Sequence, residues 1–131
     1  MEQVNLVQRV LSTAIRTVNA TANKLEDLQR KQFDSGKDAT GKQRKPYAAS
    51  TQRYKRKKGQ PTNRVTLKDS GDSYKSVKVK ADIKGIEIDV PTTQFEYMVK
   101  KYGDDTIGIE PQALKQYFEQ TVLTQIRNEF A

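Results

Sequence analysis

Val4, Val7, Leu11, Ala14, Val18, Ala22, Leu25 and Leu28 recur at spacings of three and four, and Val10 and Ile15 widen the stripe. That period predicts an amphipathic helix from about Gln3 to Phe33 with one apolar face. Its middle, Thr17 through Asn23, is rich in poor helix formers, so a bend or break is expected there. The plain reading of the face is that it covers a sheet. The sharper one is that part of it packs on a neighbouring subunit.

Further along, the period changes to two. Val77, Val79 and Ala81 alternate with Lys78 and Lys80, and Ile86, Ile88 and Val90 alternate with Glu87 and Asp89. With Asp82-Ile83-Lys84-Gly85 between them, these runs predict an antiparallel hairpin whose Val and Ile side chains face the core. Lys would then stand across from Glu or Asp on the outer face, in pairs worth about 0.2–1 kcal/mol each. Pro91 stops the second strand. Thr93 to Tyr102 reads as a short helical turn ending at Gly103, and Thr106 to Ile109 as a short added strand. Pro111 suits the first turn of a helix. Leu114, Tyr117, Phe118, Val122, Ile126 and Phe130 give that closing helix its apolar face. The fold class is therefore α+β: a long N-terminal helix and a C-terminal helix packed on a small antiparallel sheet. Within one domain of residues 1–131, helix is expected over 1–33, a basic arm over 34–66, hairpin and sheet over 67–110, and the closing helix over 111–131.

The stretch between first helix and hairpin has neither period. From Lys37 to Lys68 there are eleven Lys or Arg and one acid, Asp38. That net of +10 exceeds the +8 of the whole chain, so the basicity belongs to one segment. Pro46 favours extended backbone at Lys45. Ser50 or Thr51 can cap a short helix through Lys58, and Gly59 can end it. Such a helix has Tyr54 as its only large apolar residue. A connection this long and this charged reads as a partly ordered arm awaiting a negative partner. The candidate binding residues are Lys42, Arg44, Lys45, Tyr47, Arg53, Tyr54, Lys55, Arg56, Lys57, Lys58 and Arg64. Dense cations interleaved with Tyr47 and Tyr54 suit capture of phosphate with aromatic stacking. They equally suit an acidic face of another protein, and the last 28 residues hold five acids against two bases.

The same stretch resembles the tail-completion or neck proteins of tailed bacteriophages, the virion morphogenesis group. Gly41, Lys42, Pro46 and Thr51 fall at that family's spacing, with Tyr47 in its Leu place and Arg44 where Trp is usual. Lys55, Lys57, Lys58 and Gly59 match its basic run. Leu67, Asp69, Ser70, Gly71 and Ser76 match its next piece, and Tyr97 with Tyr102-Gly103 resembles a later one. The resemblance spans roughly Phe33 to Phe118. It implies a structural virion protein that forms a homo-oligomeric ring at the head–tail joint. Portal or connector and tail proteins would be its partners, with non-specific contact to channel DNA. Its place would be the virion, after synthesis in the bacterial host cytoplasm. The alternative reading is a sequence-neutral nucleic-acid binder.

Composition narrows the chemistry. A chain of 131 residues with 34% hydrophobic and 31% charged content suits one small folded body with polar extensions. Without Cys, neither a disulfide nor a thiolate metal site forms, and without His the commonest general base is missing. Asp104-Asp105 reads as solvent-facing, because a hard cation needs several converging oxygens. The expectation is no enzyme, no metal and no cofactor. No apolar run approaches the roughly 20 residues of a membrane span, and the first residues lack the order of a signal peptide.

Overall fold

A computed structural model describes residues 2–44, 53–54, 56–59 and 75–130. The architecture is α+β, rich in helix around one two-stranded antiparallel sheet. The long amphipathic stretch forms two helices, α1 (Glu2–Ala20) and α2 (Ala22–Ser35), broken within the expected window at Thr21. Thr17 and Thr21 turn their hydroxyls back onto the carbonyls of Thr13 and Thr17, at 2.7 and 2.8 Å. Such back-bonding bends helices. α2 ends at Gly36, whose φ of 79° is the left-handed cap that glycine adopts without penalty.

The hairpin forms as its alternation predicts. β1 (Lys78–Asp82) pairs with β2 (Gly85–Asp89), with Val79 opposite Ile88, Ala81 opposite Ile86, and Lys80 opposite Glu87. Lys80 and Glu87 approach to 3.5 Å on the exposed face. Both long helices lie against β1. After the hairpin, α3 (Thr93–Tyr102) is a full ten-residue helix capped by Thr92, whose hydroxyl accepts the Phe95 N–H at 3.1 Å. A 3₁₀ turn (Asp104–Thr106) follows.

Two apolar clusters hold these pieces. Val18, Leu25, Val79, Ile109, Tyr117 and Val122 join both long helices, the hairpin and the closing helix. Phe33, Val77, Val90 and Phe95 form the second, with the two phenylalanine rings 5.1 Å apart.

Two expectations need correction and two gain detail. Residues 107–109 form no strand. Their backbone is satisfied by side chains of α2 instead: Gly108 N–H donates to buried Gln29 at 2.9 Å, and Glu110 N–H donates to Gln32 at 2.8 Å. Gln32 also donates to the Gly108 carbonyl. The closing helix is not uniform: α4 (Pro111–Tyr117) and α5 (Leu123–Phe130) flank a π turn at Phe118–Val122. The apolar face of α1 covers the core only from Ala14 onward, and Leu6, Val7 and Leu11 are 48%, 67% and 42% exposed. Finally, residues 36–44, assigned above to the arm, are folded onto the body. Ala39 N–H donates to the Asp105 carbonyl at 2.8 Å. The approach is close enough that a Cβ on Gly108 would stand 2.8 Å from that of Ala39.

Candidate interaction site

The loop 37–43 is organised by the one acid of the basic stretch. Asp38 Oδ1 accepts from the Thr40 N–H, the Thr40 hydroxyl and the Lys42 N–H at 2.9, 2.6 and 3.1 Å. Its backbone N–H donates to the Lys42 carbonyl. Burial alone would raise the Asp38 pKa, but these hydrogen bonds, with the nearby Arg44 charge, hold it below the ordinary value.

The candidate residues separate into two groups. Lys42 is exposed on this docked loop. Arg44 departs from the rest: it is 8% exposed and its Nη2 donates to the carbonyls of Lys37 and Thr106, at 3.2 and 3.0 Å. Its guanidinium stitches the loop to the 3₁₀ turn, an internal task rather than a partner contact. Arg53, Tyr54, Arg56, Lys57 and Lys58 are all exposed, on a piece that is helical at 53–54 and 56–57. It ends where expected, at Gly59, with φ of 70° and its N–H on the Arg56 carbonyl. Lys58 Nζ lies 4.5 Å from the centre of the Tyr54 ring, a cation–π contact across one helical turn. The result is a ridge of cations with a single aromatic in it. Lys45, Tyr47, Lys55 and Arg64 lie outside the described residues.

Two acids of the chain's acidic end are engaged within the fold. Glu129 accepts from the Thr13 hydroxyl at 2.7 Å and pairs with Arg16 at 3.1 Å. The Thr13 hydrogen bond is the largest reason that its pKa falls below the usual carboxylate range. Glu119 lies 3.9 Å from Lys115. Among the described residues no cluster of acids could hold a metal ion, and no helix is long and apolar enough to cross a membrane.

A second surface was only half legible in the sequence. The stripe Val7, Leu11, Ala14, Val18 is continuous, but its first half finds no sheet beneath it. Leu6 sits beside it, at the edge of a groove shared with Arg9, Thr13, Glu129 and Phe130. Arg9 lies over the Phe130 ring, 5.2 Å from its centre. Asn5, Gln8, Ser12 and Arg16 complete the lining of that groove, of which Val7 and Leu11 are not part. Comparison with protein-family models, with curated proteins and with solved structures finds no match.

Proposed function

We propose that this chain is a structural subunit that assembles with copies of itself, as a ring at the head–tail joint of a tailed bacteriophage. The observation that carries the reading is the bare first half of the α1 stripe. Exposed side chains at Val7 and Leu11 continue the spacing of half-buried Ala14 and buried Val18, which is the pattern of a helix seam that has a partner. The exposed ridge from Arg53 to Lys58 supports the same reading, because its charge is best answered by an acidic surface or by channel DNA. The resemblance of the Gly41–Ser76 stretch to neck proteins supports a place at the head–tail joint.

Sedimentation and electron microscopy of the purified protein test this. Wild type is expected as closed rings, and Val7→Glu as monomers with an unfolding free energy within about 0.5 kcal/mol of wild type, since the site is largely exposed. A wild-type chain that stays monomeric at high concentration would remove the reading. The second reading, a sequence-neutral nucleic-acid binder, draws on Tyr54 within the cationic ridge. It would gain if that monomer bound single-stranded DNA with affinity falling steeply with salt.

A further inference from the structure

A groove of about 290 Å³ runs between α2 and the segment formed by α4 and the π turn. Its floor is apolar: Leu28 and Ala113 lie half-buried on the first core cluster, and Tyr117 is buried beneath them with its hydroxyl committed to Thr21. α2 supplies one wall with Lys24 and Lys31, seven residues apart, hence on one helical face and about 10 Å apart along the axis. Gln116 and Gln120 supply the other. Gln120 belongs to the π turn, an irregularity of a kind that recurs at functional sites. All four of these side chains are exposed, and none makes a hydrogen bond or ion pair with a described residue. The acid that could have neutralised the lysines, Asp27, gives its carboxylate to Arg30 at 2.8 Å instead.

The lining states what the groove can take. Its volume sits at the lower limit of small-molecule sites, about 300 Å³, and its walls are exposed, so it suits side chains laid in by a passing element. Two cations flanking an apolar floor are answered by two carboxylates with an aliphatic side chain between them. A helix presents that pattern when acids at i and i+7 flank a Leu at i+3 or i+4. A nucleic-acid strand fits less well, because its continuous negative charge would have to pass Asp27, which stands between the two lysines. We infer that this groove binds an acidic amphipathic helix of another protein. Lys24 and Lys31 take its carboxylates, Leu28 and Ala113 take its aliphatic side chain, and Gln116 and Gln120 hydrogen-bond its polar flank. The inference draws neither on the bare half of α1 nor on the cationic ridge, and so stands apart from the function proposed above.

The probe is a fluorescein-labelled, alanine-based helical peptide with Glu at i and i+7 and Leu at i+3 and i+4, titrated with the full chain by fluorescence anisotropy. Saturable binding is expected. It should weaken at least tenfold when both Glu of the peptide are replaced by Gln, and likewise when the protein carries Lys24→Gln with Lys31→Gln. Both lysines are exposed, so that variant should keep the circular dichroism and melting temperature of wild type. Gln116→Glu, an exposed change on the opposite wall, should weaken binding by like-charge repulsion. In NMR spectra of the wild type, the side-chain amides of Gln116 and Gln120 should shift on titration, and that of Gln8, on the groove beside Phe130, should not. Absence of saturable binding, or binding indifferent to the charge changes, would overturn the inference. A single-stranded oligonucleotide that displaces the peptide and shifts the same amides would overturn it by giving the groove to a polyanion. Amide signals that shift with the protein's own concentration would overturn it by giving the groove to a second copy.

Discussion

Arg44 shows how one side chain can change meaning between sequence and structure. In the sequence it is one cation of eleven, and in the fold it bridges two carbonyls from a nearly buried position. Arg44→Lys keeps the charge but loses the planar fork, and is expected to cost about 1–3 kcal/mol in urea unfolding. A variant as stable as wild type yet unable to assemble would return Arg44 to the binding surface. Tyr117 gives a pH signature. Thr21 spends its hydroxyl hydrogen on the Thr17 carbonyl, so Tyr117 must donate in their 2.6 Å contact. Burial raises the Tyr117 pKa. A neutral phenol thus stabilises the fold below its unfolded value of about 10, and this is lost as pH rises through the raised folded value. Tyr117→Phe should lower stability by about 1 kcal/mol at neutral pH and flatten the alkaline limb of the stability profile. A limb of unchanged steepness would count against this assignment.

At the scale of elements, the sequence was most readable where one period repeats over a face that meets one neighbour. The hairpin register follows from alternation alone, and the Thr-rich break follows from competing hydroxyls. What escaped were interactions made across the fold. Gln29 and Gln32 sit on the same helical face as Leu25 and Phe33, but nothing in their type announces that they replace a strand as partners for 108–110. Half of the candidate site was likewise legible: the cationic helix up to Gly59 was, whereas the docking of 36–44 depends on residues 105–110 far along the chain. The closing helix carries a clue that is clear in retrospect. Phe118, Val122, Ile126 and Phe130 are spaced by four, a spacing that drifts about 40° per step on a regular helix. The π turn at Phe118–Val122 takes up part of that drift and lets Tyr117 and Val122 both reach the core. Inserting one Ala after Gln120 adds a residue beyond the one the π turn accommodates and should turn α4 about 100° relative to α5. Burial of Tyr117 would then fail, at an expected cost of about 3 kcal/mol in thermal or urea unfolding. A variant as stable as wild type would show that the register between α4 and α5 is not what buries Tyr117.

For the whole molecule, the charges divide between residues tied into the fold and residues that stand on the surface. Asp38, Arg44, Glu129 and Arg16 are tied into the body by hydrogen bonds and ion pairs. Arg53, Arg56, Lys57 and Lys58 bury little and stand on the surface. The mutual repulsion of such exposed cations would be relieved by negative charge laid alongside, which the proposed assembly would supply. Reversing Lys55, Arg56, Lys57 and Lys58 to Glu should therefore leave the fold intact by circular dichroism, with stability changed by less than about 1 kcal/mol. The same change should abolish assembly, and wild-type assembly should weaken as salt rises, because the contacts are exposed and screened within about 10 Å at 0.1 M. Loss of folding in the reversed variant would mean that the ridge belongs to the core. Full assembly at high salt would mean that the apolar half of α1 suffices, with the cations serving some other partner.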